Sequence, residues 1–146
     1  MALTLKSKSG SMGSKMPSTP GTTAYADFQS YIQASMTAAH VFKLTNDRLI
    51  VHKHMKHYAK CAHKVIYQIG KQITVEFGPL KGWADYGAEM FEDMDPLEYF
   101  KMFKKYLENK LDTLFKDAPD NVKGMIKKLV KLVANTIFHL QLLTQP

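Results

Sequence analysis

Apolar residues recur at three- and four-residue steps in four separate stretches of this 146-residue chain, the spacing of helices with one buried face. Between Thr23 and Phe42 the set is Phe28, Tyr31, Ile32, Met36, Ala39 and Phe42. A second stretch starts at an Asn46 or Thr45 cap and runs to about Val75, with Val51, Met55, Tyr58, Ala62, Val65, Ile66 and Ile69 on one side. Asp95-Pro96-Leu97-Glu98 spells a helix start: Asp as N-cap, Pro at the first position, and Glu at the third to complete a capping box. From there Leu97, Phe100, Phe103, Leu107, Leu111 and Leu114 carry a third helix to about Lys116. A fourth opens at Asp120, after Pro119, and runs to about Leu143 with Met125, Ile126, Leu129, Val133, Ile137 and Leu140 as its stripe. Gly78, Pro79, Gly82 and Gly87 mark an irregular link between the second and third, with a short turn around Ala84–Phe91. Strand periodicity is nearly absent and no segment repeats, so the expected fold is all-α, about four helices in a small bundle over residues 23–146.

The first 22 residues differ in kind. They hold Lys6, Lys8 and Lys15, no acid, and otherwise mostly Ser, Gly, Thr, Pro and Met without apolar periodicity. Such a stretch cannot bury enough surface to offset its chain entropy, and it reads as an extended basic N-terminal arm that a partner must order. Its opening residues turn polar too soon for a secretory signal. No apolar run reaches the ~20 residues a membrane span needs. Cys61 stands alone, which excludes a disulfide framework and a multi-cysteine metal site.

Charge sharpens the picture. Twenty basic residues against thirteen acidic ones give +7, and all the basic residues except Arg48 are lysines. Arginine is the fork that reads guanine edges and clamps single phosphates, whereas lysine is a mobile point charge suited to sequence-blind attraction. The charges also lie in blocks: residues 41–75 carry seven basic residues and only Asp47, residues 76–120 carry six lysines against eleven acids, and residues 121–146 carry Lys123, Lys127, Lys128 and Lys131 with no acid.

On a 3.6-residue period, Lys53, Lys56, Lys60, Lys64 and Lys71, with His57 and His63, fall along the side of the second helix opposite its apolar set. Lys53 to Lys71 spans about 27 Å at 1.5 Å per residue, enough to meet several phosphates of a duplex. A solvated lysine face is the bland alternative. Against it, no acid lies three or four residues from these lysines between Arg48 and Val75, whereas surface helices usually lace the two signs together. The expected phosphate contacts are therefore Lys6, Lys8, Lys15, Arg48, Lys53, Lys56, His57, Lys60, His63, Lys64, Lys71, Lys123 and Lys127.

Other chemistry is less well supported by the residues. His57 and Cys61 have the i,i+4 spacing of two metal ligands, and His52, His54 and His63 are close by, but there is no second thiol, no HExxH, and the surrounding lysines repel a dication. A Cys61–His nucleophilic pair lacks a third orienting group. Asp85, Glu89, Glu92, Asp93, Asp95 and Glu98 suit the third helix's N-terminus, whose dipole favours negative charge, or a neighbouring subunit's lysines. Trp83, Tyr86, Phe91, Tyr99, Phe100, Phe103 and Tyr106 read as core or subunit contact, because acids surround them in sequence. No phosphate-binding glycine loop or nucleophile elbow is present, so neither an enzyme nor a cofactor is expected.

A small helical bundle, a basic Ser/Gly/Pro arm, lysines along the helices and an apolar excess at Ile137, Phe138, Leu140, Leu142 and Leu143 resemble, in organisation, the major coat proteins of filamentous archaeal double-stranded DNA viruses. The resemblance covers the whole chain and rests on no single motif. It implies a virion protein whose subunits, alone or paired with a related coat subunit, wrap A-form DNA, with a lipid envelope around some such filaments. The functional expectation is a structural protein that polymerises on nucleic acid by neutralising phosphates. Two other classes fit the same charges: a non-assembling binder of double-stranded RNA or DNA, and a peripheral membrane protein that meets anionic lipid.

Overall fold

The computed structural model describes residues 20–143, with side chains from residue 23 onward, so Lys6, Lys8 and Lys15 lie outside the described residues. The described chain is all-α: α1 (Pro20–Thr45), α2 (Leu49–Phe77), a short 3₁₀ turn (Ala88–Phe91), α3 (Pro96–Asp112) and α4 (Asp120–Leu143). Around the bundle, α1 packs on α2, α2 on α4 and α4 on α3, with lighter contact between α3 and α1. A tight turn reverses the chain between α1 and α2, whereas the link at 78–95 crosses over α1, so α3 starts at the end of the bundle where α2 started.

The first helix is buried nearly all round, where its pattern suggested one apolar stripe. Ala26, Gln29, Ser30, Ala34, Ser35, Ala38 and Val41 are buried along with Phe28, Tyr31, Ile32 and Phe42. Small side chains let neighbours approach from several sides, and each buried polar residue makes at least one bond, although Gln29 Oε1 is left without a partner. Ser30 Oγ donates to Ala26 O (2.8 Å) and accepts from the Ala84 amide (3.0 Å), which ties the link to α1. Ser35 Oγ meets Tyr58 Oη at 2.8 Å, and Gln29 Nε2 donates to Ile66 O at 3.1 Å, fastening α1 to α2. Gly70 sits opposite Gln29, where a Cβ would come within 2.8 Å of Nε2.

Helix boundaries depart from the sequence pattern at two places. The cap at Asn46 or Thr45 does not form: Thr45 is still in α1, its hydroxyl bonded to Val41 O, and Asn46 Oδ1 accepts from the Arg48 amide at 2.9 Å. That bond closes an Asx turn two residues long and delays α2 to Leu49. The third helix stops at Asp112, short of Lys116, and a turn follows in which Phe115 N bonds Lys110 O. The wider loop swings Phe115 into the core against Tyr25 and Phe28. Its start keeps the expected Asp95 cap, with Oδ2 accepting from the Glu98 amide at 3.0 Å and Pro96 in the first turn. The capping box is only half-formed, since the Glu98 carboxylate turns to Lys101 at 3.9 Å.

Candidate nucleic-acid interface

Lysine positions on α2 follow from its core. Val51, Met55, Tyr58, Ala62, Ile66, Ile69 and Ile73 are buried on one side. At 100° per residue, Lys53, Lys56, Lys60, Lys64 and Lys71 then fall within an arc of about 80° on the opposite side. All five are exposed, with His57 and His63, also exposed, flanking them on either side. Among the described residues the ion pairs are Glu98–Lys101 (3.9 Å) and Lys104–Glu108 (2.7 Å), both within α3.

The fourth helix extends this face. Val122, Ile126, Leu129, Val133 and Leu140 are buried, which turns Lys127, Lys128 and Lys131 outward, with Lys123 half-exposed beside them. Three contacts set the seam between α2 and α4. Asn121 Nδ2 donates to Gln72 Oε1, the His54 and His139 rings stack at 4.8 Å, and the Arg48 guanidinium reaches Leu143 O at 3.4 Å. The helices are therefore antiparallel, and their register lays residues 60–64 beside residues 129–133. Lys131 stands level with Lys60 and Lys64, and Lys123 lies near the level of Lys71. Lys128, on the side of α4 that carries Asn121 and His139, and the outward Lys131 join the five lysines of α2 in a face of seven. Lys123 and Lys127, expected among the phosphate contacts, instead fall round α4 on the stripe of Ala134, Ile137 and Gln141 that faces α3. The stretches 49–75 and 121–143 contain no Asp or Glu.

Sequence reasoning missed Lys128 and Lys131 as members of this face. The signal was there, since both belong to the same acid-free run, but only the position of α2 shows that their side of α4 continues the ridge. Arg48 stands at the end of the seam, where its fork meets the last carbonyls of α4, a partner that favours cations at helix C-termini.

Desolvation against α4 is the first cause that lowers the His54 pKa below its ordinary value, followed by the charges of His139, Lys53 and His57. Cys61 Sγ approaches His57 Nε2 at 3.6 Å. Among the described residues no group of three or more His, Cys, Asp or Glu is placed to hold a metal ion. The carboxylates of Asp85, Glu89, Glu92, Asp93, Asp95 and Glu98 are exposed along the later part of the link and the start of α3, with Glu98 at the groove between α3 and α4. Phe91, Tyr99, Phe100 and Phe103 are buried in the core, and Tyr86 and Tyr106 pack against it. Burial also pushes the phenols of Tyr31, Tyr99 and Tyr106 up, and that of Tyr86 to about 12, so all four stay neutral.

At the end of the bundle where α4 finishes, Leu44, Leu49, Phe138 and Leu142 are each at least half exposed. Ile137 is half-buried and lines a groove with Met102 and Ala134 between α3 and α4, while Leu140 enters the core. Among the described residues no helix is long and apolar enough to cross a membrane. No family model, curated protein or solved structure matches the chain.

Proposed function

We propose that this protein packages nucleic acid: the α2–α4 face lies along the phosphates of a duplex, double-stranded DNA by the coat-protein resemblance, and subunits accumulate on it as a virion coat. The observation that carries the reading is the acid-free face of seven lysines, five of them aligned along one helix. Uncompensated like charge on one side of a bundle weakens the folded state, and a polyanion relieves it while releasing its own counterions. One arginine at the end of the seam and lysines elsewhere give affinity without base readout.

Assembly draws on the other surfaces. The apolar end at Leu44, Leu49, Phe138 and Leu142 is where a neighbouring subunit, of the same or a related chain, would bury side chains that this one leaves in water. The acidic link runs over α1, apart from the lysine ridge of α2, so adjacent subunits can meet through opposite charges without giving up the phosphate face.

Binding of a duplex across a salt series tests the first half. Affinity should fall steeply with salt and hardly vary with sequence. Replacing Lys53, Lys56, Lys60 and Lys64 by Ala should reduce the log–log slope by about 3 to 4. An unchanged slope removes α2 from the interface. Electron micrographs of the protein with duplex test the second half, since long particles are expected and a small fixed stoichiometry argues for a binder that does not assemble.

A further inference from the structure

Apart from Trp83 the chain's sixteen aromatic residues are fifteen Phe and Tyr, and ring-to-ring contacts link nearly all of these into the core or to a neighbour. Among the described residues Tyr67 and Trp83 enter no contact with another aromatic ring, and both line the same open groove, of about 520 Å³, between α1, α2 and the start of the link. Tyr67 is 63% exposed and Trp83 48%. Tyr67 also lies within the lysine arc of α2, with Lys71 Nζ 5.5 Å above its ring. Val75, Pro79 and Leu80 add apolar wall, Gln29, Gln33 and Thr74 add uncharged polar groups, and no carboxylate lines the groove. The acids that precede and follow Trp83 in the chain thus leave it apart, and at this exposure it is not a core residue.

We infer that this groove is a stacking site for an unpaired nucleobase of the strand whose phosphates run along α2, so that single-stranded nucleic acid is a second ligand class of the same face. This rests on reading the ridge as a polyanion interface. An aromatic ring offers a sequence-tolerant platform because every base has a π-face, and a cationic groove beside it tracks the backbone. Lys71 supplies that continuity: its ammonium can leave the Tyr67 face for a phosphate as a base takes its place. A volume of this size falls in the range of small-molecule sites, roughly 300–1,000 Å³, and its apolar walls match the faces of a base better than a sugar or a free phosphate.

Trp83 is the single tryptophan, so its emission reports on the groove without a label. The full chain is titrated at low salt with a short oligothymidylate and with inorganic polyphosphate of matched charge, and binding is followed in parallel by electrophoretic mobility. Both polymers should bind, but only oligothymidylate should quench Trp83. Tyr67→Ala, at an exposed position, should weaken oligothymidylate about tenfold and leave polyphosphate unchanged. Trp83→Phe, which keeps a ring, should retain most of that preference. The pair Lys53→Ala and Lys56→Ala, at the far end of the ridge, should weaken both polymers alike. Equal quenching by polyphosphate, or oligothymidylate bound without quenching, overturns the stacking site. So does an emission shift that follows protein concentration alone, which gives the groove to a second copy of the chain. Failure of either polymer to bind removes the ridge and the stacking site together.

Discussion

Helices α2 and α3 obey one rule inside the bundle and opposite rules outside it. Each buries a stripe at helical spacing: Val51, Met55, Tyr58, Ala62, Ile66, Ile69 and Ile73 on α2, and Tyr99, Phe100, Phe103 and Leu107 on α3. Outside, α3 alternates signs and joins them, Glu98 to Lys101 and Lys104 to Glu108. The outer side of α2 places Lys56, Lys60 and Lys64 at successive i,i+4 steps with no acid between. Opposite charges at that spacing stabilise a helix by about 0.2–0.5 kcal/mol per pair, and like charges cost similar amounts. The outer face of α3 therefore serves the folding of its own chain, and that of α2 works against it. A face that costs stability at home is best explained by something outside the molecule.

The largest expected effect separates these helices directly. Removing four lysines from α2 (Lys53, Lys56, Lys60 and Lys64, each to Ala) should lower duplex affinity at low salt by about 10²–10³-fold. Removing the same number from α3 (Lys101, Lys104, Lys105 and Lys110) should change it only a few-fold, as Lys101 and Lys104 are paired with Glu98 and Glu108 and the helix carries acids among its lysines. Fluorescence anisotropy of both variants on one duplex decides the matter. Equal losses would mean that net charge alone matters and that the α2 face has no special standing.

Much of this contrast was legible in the chain, because helical period and charge sign are both local properties. Asp95-Pro96 fixed the start of α3, and the acid-free run from Lys53 to Lys71 gave the ridge. What depended on tertiary placement was not legible. That α1 is buried on nearly every side follows from the link crossing over it, and Ser30, an ordinary helix surface residue by type, becomes the acceptor for Ala84. Phe115 lies off the α3 stripe and reaches the core only because the helix breaks at Thr113. Lys128 and Lys131 join the ridge through the register of α4 against α2. Trp83 sits among acids in sequence and beside Tyr67 and Lys71 in space.

Smaller substitutions sharpen the comparison by moving stability and binding separately. On the inner side of α2, Gly70→Ala brings a methyl group against the buried, bonded Gln29 amide. Overpacking of this kind costs about 1–3 kcal/mol, from which the helix preference of Ala over Gly returns roughly 1 kcal/mol. A net loss of about 1 kcal/mol in urea unfolding is expected, with the duplex salt slope unchanged. Gly124 on α4 has open space around its Cα, so Gly124→Ala should gain up to about 1 kcal/mol. On the outer side, Lys60→Glu converts two like pairs, with Lys56 and Lys64, into opposite ones. Stability should rise by about 0.5–1 kcal/mol while duplex affinity falls. A Lys60→Glu variant that is both weaker in binding and less stable would show that α2 already carries its charges for folding.

The smallest effect lies in the seam that joins α2 to α4. His54 packs its ring on His139 at 4.8 Å, and its pKa is lowered by lost hydration and by the charges of His139, Lys53 and His57. The folded chain therefore resists protonation at His54 more than the unfolded chain does. Below the ordinary histidine value of about 6.5 the unfolded state takes up the proton first, so this contribution to stability is present above that pH and declines as pH falls through it. Thermal melts from about pH 7.5 to 5 should show a modest drop in midpoint, and His54→Gln should flatten it. A bound duplex should shrink the same drop, because phosphates beside Lys53 and His57 offset the positive field that disfavours the imidazolium. On α3, no histidine lies in the helix to respond. A duplex that leaves the acid sensitivity of the seam unchanged would place the phosphates away from this part of α2, whatever the lysines further along contribute.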